Sequence, residues 1–357
     1  MNFSKKTPAK SEENGAGGAV RAAATGLALA ALFFLLPLAL FGDAAGHTAE
    51  EGAPTARLPL DRTPVTPSPT PAPAARDAAK QVRVKLPDGS VLALGMDQYL
   101  WRVVAAEMPA SFELDALRAQ AVAARSYTLS KMGRSVENHP DADVCTDVGC
   151  CQAYIDPAEA AAMWGAGAPG YADRITAAVA DTDGVAATYN GAPIQAVFFS
   201  SAAGRTLDAV EVWGNAVPYL SGVESPEGEE VPNYHSTVRL APGEFKEKFL
   251  DRWPQADLSG PSAAWFGQPT LNSAGGVEEL AVGGVTVTGT QLRSLLGLRS
   301  ANFTVEAGEE ELVFSVTGYG HGVGMSQYGA NALAKEGKSW QEILRWYYTG
   351  VELETVE

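Results

Sequence analysis

A run of apolar residues near the N-terminus constrains this chain more than any other feature, because it decides on which side of a membrane the rest must fold. Residues 22–41 read AAATGLALAALFFLLPLALF, and about 20 apolar residues can span a bilayer as a helix. The basic residues before it are Lys5, Lys6, Lys10 and Arg21. Because basic flanks stay in the cytoplasm, we predict a cytoplasmic basic N-terminus at 1–21, a single-pass transmembrane anchor at 22–41 in the cell membrane, and an exported remainder. The alternative is a signal peptide cut near Asp43, which exports the same residues.

Proline-rich sequence separates the apolar run from the part of the chain that can fold. Residues 42–79 are rich in Pro and Ala and include TPVTPSPTPAPAA, which is typical of an extended spacer without a core. Over residues 80–357 the patterns of strands and helices are mixed without regular alternation, which predicts an α+β domain. Within this domain, residues 237–305 are a candidate for a smaller inserted subdomain.

The clearest local patterns predict a hairpin followed by two helices. VRVKL and VLAL flank the turn Pro87-Asp88-Gly89, as in a β-hairpin. MDQYLWRVVAAEM predicts a helix that is capped by Asp97 and stopped by Pro109, and an Ala-rich helix follows over about 114–131. Further on, IQAVFFSS, GVEELAVGG and LVFSVTG predict strands, and WQEILRWYY predicts an amphipathic helix.

The charge of the chain excludes one broad class of partner. The formal net charge at pH 7 is −16. A surface of this sign repels the phosphates of DNA and RNA. We therefore expect no nucleic-acid partner.

Glu107 is the residue that points most directly to chemistry. It lies four residues after Val103 and three after Val104, so on a helix it shares their inward-facing stripe. It also falls in the last turn, where the helix dipole is negative. Burial and the dipole both disfavour the ionised form and raise a carboxyl pKa, as a general acid acting on a glycosidic oxygen requires. The alternative is a structural glutamate that pairs with Arg102 or Arg125.

A histidine and three cysteines cluster in the segment HPDADVCTDVGCCQAY. His139, Cys145, Cys150 and Cys151 make a complete tetrahedral ligand set for zinc, and a site closed by four protein ligands is structural. Their spacing matches no standard zinc-finger pattern. The alternatives are a disulfide from Cys145 to one of its neighbours, which an exported chain permits, or free buried thiols.

A glycine-rich loop surrounds His321 in the segment GYGHGVGMSQYGANALAKEG. Glycines at this density allow unusual backbone dihedrals and a close approach of the backbone to a ligand. The segment lacks the GK[ST] ending of a phosphate loop. Its polar residues, Ser326 and Gln327 among them, could bind a sugar ring and its acetamido group. The alternative is a tight connection from strand to helix with a structural histidine.

Together these segments resemble the stage II sporulation protein D family, whose domain is shared with amidase-enhancer proteins. The resemblance rests on YLWRVVAAEMPASFELDALRAQAVAARSYTL, CQAYID and GYGHGVGMSQYGANALAKEGKSWQEILRWYYTGVEL, and it covers about residues 80 to 353. One departure lies in Ser200–Thr206, where a glycine common in the family is replaced by Ala203 and an arginine, Arg205, is added.

The resemblance implies an activity and assigns roles to residues. It implies lytic transglycosylation of peptidoglycan, in which the β-1,4 bond after N-acetylmuramic acid is cleaved and the muramyl 6-hydroxyl closes a 1,6-anhydro ring. Glu107 matches the family's single catalytic carboxyl, and the cysteine-histidine cluster resembles a zinc-binding variant of the domain. The candidate substrate-binding residues are Arg125, Gln152, Tyr154, His321, Ser326 and Gln327.

The resemblance also implies partners. The substrate would be the glycan strands of the cell wall during septal remodelling and engulfment, and the partner a cell-wall amidase that strips stem peptides within a membrane complex at the septum. We expect Arg125 to bind the lactyl carboxylate of muramic acid, which is free where no stem peptide is attached, and its competing role is a pair with Glu107. The rival function is a non-catalytic glycan-binding enhancer of an amidase, which has no need of Glu107. A membrane-tethered scaffold is a third hypothesis.

Overall fold

The computed structural model describes residues 75–356. The predicted anchor at 22–41 and residues 42–74 of the predicted linker therefore lie outside the described residues. Within 75–356, no helix is both long enough and apolar enough to cross a membrane. This part of the chain is an α+β fold, as predicted, in which several small sheets pack with helices.

Helices and short strands follow one another irregularly along the chain. The helices are α1 (Ala75–Ala79), α2 (Met96–Glu107), α3 (Leu114–Lys131), α4 (Pro157–Trp164), α5 (Ala168–Ala180), α6 (Ala209–Trp213), α7 (Pro242–Arg252), α8 (Gly289–Leu296), α9 (Gln327–Lys335) and α10 (Trp340–Tyr347). The strands are β1 (Gln81–Lys85), β2 (Val91–Gly95), β3 (Val144–Cys145), β4 (Val185–Tyr189), β5 (Ala192–Pro193), β6 (Phe198–Phe199), β7 (His235–Leu240), β8 (Thr270–Leu271), β9 (Val277–Val282), β10 (Val285–Thr288), β11 (Phe303–Ala307), β12 (Leu312–Thr317), β13 (Met325–Ser326) and β14 (Glu352–Thr355). The sheet orders are β2-β1-β3, β14-β4-β5, β13-β6, β10-β9-β8 and β11-β12-β7.

The first hydrophobic core is built around the Ala-rich helix α3. Helices α2, α5, α9 and α10 and strand β4 all pack on it, because its small side chains allow close approach. Leu100 and Val103 of α2 and Leu117 of α3 are fully buried in this core. Burying a side chain of this size contributes about 1.5–3 kcal/mol, so the pairing of α2 with α3 is a main source of stability and holds the end of α2 in place.

A second hydrophobic core lies in the region that includes the predicted subdomain. Its sheet pairs β12 with both β7 and β11, so the unit extends to Thr317, past the predicted limit of 237–305. The core is aromatic: the ring of Phe245 stacks on Phe249 at 5.4 Å and on Phe314 at 6.2 Å between centroids. The return of the chain into β12 beside β7 completes the sheet of this second core.

Some local predictions differ from the structure. The last residues of the predicted linker, Ala75–Ala79, form helix α1, in which Asp77 is buried. In the segment IQAVFFSS only Phe198–Phe199 forms a strand. The amides of Ala196 and Val197 instead bond to carbonyls two residues earlier in the chain, and these tight turns prevent an extended strand.

The glycine-rich loop reaches the first core through a pairing of distant segments. Strand β13 pairs in parallel with β6. Gly324, just before β13, has a φ of +76°, and a Cβ at this position would lie 2.2 Å from the carbonyl oxygen of Val197, so only glycine permits the approach. Helix α9 begins directly after β13, at Gln327, and the pairing therefore determines where Gln327 lies.

Candidate active site around Glu107

Glu107 is the last residue of α2. Val103 and Val104 are fully buried, and Glu107, which is partly buried, faces the same way, as the spacing predicted. The helix starts after Gly95, whereas the predicted cap, Asp97, lies in the first turn. At the other end Met108 is extended, with φ −122° and ψ 143°, as expected of a residue before proline. The chain therefore leaves the helix immediately after the Glu107 carboxyl group.

The carboxylate of Glu107 joins segments that are far apart in sequence. Its Oε1 accepts a hydrogen bond from the backbone amide of Ala153 at 2.7 Å. Its Oε2 accepts one from the side-chain amide of Gln327 at 3.2 Å. The three segments that carried the family resemblance, around Glu107, CQAYID and the glycine-rich loop, thus meet at this one side chain.

The environment of Glu107 raises the pKa of its carboxyl group from the ordinary value. The main cause is removal of the carboxyl from water, while the hydrogen bonds from Ala153 and Gln327 act in the opposite direction. Burial disfavours the ionised form, and donors to the carboxylate favour it. With burial outweighing these two donors, the carboxyl of Glu107 keeps its proton more readily than an ordinary glutamate.

The structural alternative for Glu107, a pair with a nearby arginine, does not form. Arg102 binds the carbonyl of Gln98 at 2.8 Å and pairs with Asp156 at 3.4 Å. Its guanidinium also lies 6.0 Å from the ring centroid of Tyr154. Arg102 therefore does not pair with Glu107, whose carboxylate accepts hydrogen bonds from the amides of Ala153 and Gln327.

Arg125, predicted to bind substrate or to pair with Glu107, is placed elsewhere. Its side chain is 1% exposed and forms a buried ion pair with Asp77 of α1, which is 3% exposed. The Nε atom donates to Asp77 at 2.9 Å, and Nη1 donates to the carbonyl of Val185 at 2.8 Å. The guanidinium faces the interior, with its donors used by protein acceptors, so the prediction of a substrate contact is corrected to a structural role. The partner lay in the predicted linker, where no local pattern indicated it.

The two candidates from CQAYID differ in their exposure. Gln152 is 3% exposed, and its amide lies 3.3 Å from the Tyr99 hydroxyl and 3.2 Å from the Thr128 hydroxyl, so it holds the segment from inside. Tyr154 is partly buried, and its hydroxyl lies 3.4 Å from an oxygen of Asp156. Of these two residues only Tyr154 offers a surface next to Ala153, and Gln152 is corrected from a substrate contact to an internal support.

His321 uses both ring nitrogens within the protein. Nδ1 accepts the amide of Val323 at 3.2 Å, and Nε2 therefore carries the proton and donates to the carbonyl of Phe198 at 3.1 Å. Burial, together with the charge of Arg293, lowers the pKa of His321 to about 4, so the imidazole is neutral at pH 7. This agrees with the alternative reading of a structural histidine that ties the glycine-rich loop to β6. The imidazole ring also lies close to two aromatic rings, with its centroid 5.5 Å from that of Phe199 and 5.6 Å from that of the half-exposed Trp213.

Ser326 is buried, and its role is to start a helix. Its hydroxyl caps α9 by accepting from the amide of Gly329 at 3.3 Å, and it donates to Glu227. No sequence pattern pointed to Glu227. This residue is 4% exposed, and its carboxylate also accepts hydrogen bonds from the amide of Ala202 at 2.7 Å and from the hydroxyl of Ser225 at 2.6 Å. Ser326 is thus corrected from a substrate contact to a helix cap, whereas Gln327, the next residue, does reach the site.

The cysteine-histidine cluster assembles in a loop beside the site. One ligand atom from each of His139, Cys145, Cys150 and Cys151 lies within 4.8 Å of the others. All three cysteines are free thiols, with 4.0 Å between the sulfurs of Cys150 and Cys151. A tetrahedral zinc site with bonds of about 2.3 Å places its sulfurs about 3.8 Å apart.

Supporting contacts around the cluster also suit a metal. The Nδ1 atom of His139 lies 3.1 Å from the carbonyl of Ala142, which fixes the tautomer and leaves Nε2 to point at Cys151, 3.4 Å away. The amide of Cys145 donates to the sulfur of Cys151 at 3.3 Å. A ligating histidine normally has such an outer partner, so the residues fit a zinc ion.

Comparison with known proteins places these motifs in context. The family model described as Stage II sporulation protein matches residues 89–189. Stage II sporulation protein D of Bacillus subtilis (strain 168) is 36% identical over 332 residues, which is 91% of this chain and 93% of that protein. Stage II sporulation protein D of Bacillus amyloliquefaciens is 35% identical over 312 residues, 85% of this chain and 88% of that protein. The Amidase enhancer of Bacillus subtilis (strain 168) is 29% identical over 308 residues, 70% of this chain but 39% of that longer protein.

Proposed function

Because the chain belongs to the stage II sporulation protein D family, we propose that its exported part is a peptidoglycan lytic transglycosylase, a lyase, in which Glu107 is the single acid and base. The observation that supports this most is the environment of Glu107. Its carboxyl is shielded from water, its pKa is raised, and both its oxygens are held by amide donors. A general acid needs such a pKa near neutral pH.

In the first step the protonated carboxyl of Glu107 gives its proton to the glycosidic oxygen as the bond from C1 of N-acetylmuramic acid to that oxygen breaks. The amides of Ala153 and Gln327 then donate to the carboxylate that remains. Because they hydrogen-bond the charged form, they stabilise it at the moment it is produced. The sugar at C1 carries positive charge at this stage.

In the second step the same carboxylate takes the proton of the muramyl 6-hydroxyl, while the oxygen of that hydroxyl bonds to C1. The ring that closes is the 1,6-anhydro product, Glu107 regains its proton, and no water is consumed. A retaining or inverting hydrolase instead needs a second carboxyl about 5 to 9.5 Å from the first. The two hydrogen-bond partners that the structure gives the Glu107 carboxylate are both neutral amides, an arrangement that suits a one-carboxyl mechanism.

The proposal is tested by the ends of the products. Purified glycan strands, with and without stem peptides, are incubated with the full chain in detergent, and the products are identified by mass spectrometry. We expect 1,6-anhydromuramyl ends. Reducing muramic acid ends would show that water is the nucleophile and would overturn the proposal.

The second candidate function is a non-catalytic glycan-binding enhancer of a cell-wall amidase. It is favoured by the similarity to a protein named Amidase enhancer. Two results together would establish this function instead. The chain would release no products from any form of glycan, and the chain and its Glu107→Gln variant would stimulate an added amidase equally. We also propose an amidase that removes stem peptides as the partner in sporulation, with both proteins acting on the wall at the septum.

For the cysteine-histidine cluster we propose one structural zinc ion bound by His139, Cys145, Cys150 and Cys151. The support is the convergence of four donors within 4.8 Å and their outer hydrogen bonds. A zinc ion with four protein ligands has no place for water, so it would act by fixing the loop. That loop leads directly into Ala153, which holds Glu107.

For the location of the chain we propose the cell membrane, with the N-terminus in the cytoplasm and the catalytic domain outside. The support is the apolar run at 22–41 with its basic flank. This orientation is tested with an engineered cysteine at an exposed position of the domain. In intact cells, a membrane-impermeant thiol reagent should label this cysteine.

A further inference from the structure

A cavity of about 510 Å³ opens between the end of α9, helix α10 and the loop at Ser200–Thr206. This volume falls within the range of about 300–1,000 Å³ that is typical of sites for small molecules. Ala203 and Arg205, where the sequence departs from the family pattern, both line the cavity. The mechanism proposed for Glu107 uses none of its lining residues.

Helix α9 separates this cavity from Glu107. Gln327, at the start of the helix, binds Glu107, and Asn331 one turn later accepts the amide of Glu113 at the start of α3. Glu336, at the other end of the helix, lines the cavity. Since a helix turns once in about 3.6 residues, the nine residues from Gln327 to Glu336 are about two and a half turns, and the two side chains leave opposite faces of α9. The cavity is therefore distinct from the candidate active site.

Two buried polar groups at this place have no partner among the described residues. The Nε atom of Arg205 has no hydrogen-bond acceptor, although its Nη2 donates to the carbonyl of Gly222 at 2.9 Å. The hydroxyl of Ser201, a residue that is 3% exposed, also lacks a partner within residues 75–356. Ser201 lines a smaller cavity that shares Ala203 and Arg205 with the first. Buried polar groups without partners cost free energy, which a ligand carbonyl reaching between the two cavities would remove.

The walls of the larger cavity are held in place by hydrogen bonds within the protein. Arg205 and Glu224 form an antiparallel β-bridge, and the indole nitrogen of Trp346 donates to the carbonyl of Glu224 at 2.7 Å. The hydroxyl of Ser225, which also lines the cavity, donates to the buried Glu227 at 2.6 Å. Walls that are already ordered lower the entropic cost of binding a ligand.

The lining combines one cation, two carboxylates and an exposed aromatic ring. Trp346 is 41% exposed, and because its N–H is already bonded, it offers a ligand the apolar surface of its ring. Glu224 and Glu336 are exposed and line the same cavity as Arg205, so two negative charges face one positive charge and an anionic ligand is disfavoured. A neutral N-acetylated sugar fits this lining. Its C–H face packs on an indole ring, its hydroxyls donate to carboxylates, and its acetamido carbonyl accepts from a guanidinium.

We propose that this cavity is a second carbohydrate-binding site and that its ligand is a neutral N-acetylated sugar, an N-acetylglucosamine residue in a stretch of glycan that is not being cleaved at Glu107. The identity of this sugar rests on the proposed function, in which the chain acts on peptidoglycan. A second contact with the wall raises the effective concentration of glycan at the reaction site without changing the chemistry there.

The test maps where a neutral sugar binds to the full chain in detergent, with Glu107→Gln present so that no glycan is cleaved. The probe is a trisaccharide of N-acetylglucosamine that carries a photoreactive diazirine at its reducing end, and mass spectrometry identifies the labelled peptides. We expect labels in the peptides that contain Glu224 and Trp346. An excess of unlabelled trisaccharide should remove these labels. Maltotriose, which has no acetamido group, should compete at least about 10-fold less well.

Variants of two lining residues assign the labels to the cavity. Trp346→Ala and Arg205→Met should each lower this labelling by at least about 10-fold, with folding checked by circular dichroism. The matched control is Trp213→Ala, because Trp213 is 44% exposed but lines neither cavity. It should leave the labels unchanged. If Arg205→Met does not fold, Trp346→Ala and the competition by maltotriose give the same decision.

Three results would overturn the proposal. These are the absence of labels at the cavity, labels that Trp346→Ala and Arg205→Met leave unchanged, and displacement of the probe by a free stem peptide but not by unlabelled trisaccharide, which would identify a peptide site. Such a failure is distinguishable from failure of the proposed function. An enzyme without a second sugar site can still form 1,6-anhydro products, and a chain that releases reducing ends can still bind sugar in this cavity.

Discussion

The side-chain amide of Gln327 donates a hydrogen bond to the carboxylate of Glu107 at 3.2 Å, across 220 residues of sequence. Gln327 is the first residue of α9 and is 6% exposed, so its position is set by the helix and not by solvent. A donor to the ionised form opposes the effect of burial on the pKa of Glu107. The contact therefore links the glycine-rich loop to the protonation state of the proposed catalytic group.

Replacing Gln327 should move the pH profile of cleavage. In Gln327→Leu the carboxylate loses one donor, so the pKa of Glu107 rises further. The protonated form then persists to higher pH, and the alkaline fall of the cleavage rate should shift upward by about one pH unit. The control is Gln195→Leu, at an exposed position, which should leave the profile unchanged. An unshifted profile in Gln327→Leu would separate Gln327 from the titration of Glu107.

Glu107→Gln should abolish cleavage of glycan strands. The amide keeps the size and most contacts of the side chain but cannot transfer a proton, so we expect a loss of at least about 100-fold. The measurement is the rate of release of 1,6-anhydro ends, with folding checked by circular dichroism. Near-normal cleavage by a folded variant would remove Glu107 from the mechanism.

The same substitution should reveal the raised pKa of Glu107 through stability. An unfolded glutamate has a pKa of about 4.3, and the folded value is higher. The stability associated with the protonated carboxyl is complete below the unfolded pKa and is lost as pH rises through the folded pKa. Relative to Glu107→Gln, the unmodified protein should therefore lose Tm as the pH rises from about 4 to neutral. A constant difference in Tm across this range would contradict the raised pKa.

Breaking the buried pair of Arg125 and Asp77 should destabilise the fold rather than weaken substrate binding. In Asp77→Ala the Arg125 charge is left buried without a partner, which costs about 3–5 kcal/mol. Urea unfolding measures this cost, and KM for glycan should not change in the folded fraction. The control is Glu311→Ala, in an exposed pair, where little change is expected. Unaltered stability combined with a raised KM would restore the substrate role of Arg125.

Zinc loss should act on stability before it acts on chemistry. Protein purified without added metal should contain one zinc per chain by elemental analysis, and Cys145→Ser should lower Tm by about 10 °C or more, because a structural ion contributes folding free energy. Val148→Ser, at an exposed position in the same loop, is the control and should keep both zinc and Tm. Metal-free protein with an intact disulfide would show that the oxidised alternative is right.

Much of the candidate site could be predicted from local patterns, because the relevant physics acts over a few residues. Helical spacing placed Glu107 on the side of Val103 and Val104, and Pro109 predicted where α2 ends. The clustering of His139 with the cysteines also lay within one short segment. Local patterns predicted the structure less well where turns compete with strands, as at Ala196 and Val197. A run of apolar residues does not show which backbone hydrogen bonds will form.

By itself the sequence determined which groups could do chemistry here: an inward-facing carboxyl at Glu107, a four-donor cluster and a glycine-rich loop. Only the tertiary structure decided their partners. It brought Ala153 and Gln327 to Glu107, buried Arg125 against Asp77, and occupied both nitrogens of His321 inside the protein. The reason is that desolvation and hydrogen bonding of a side chain depend on every segment packed around it, and those segments come from 48 residues away for Arg125 and 220 for Glu107.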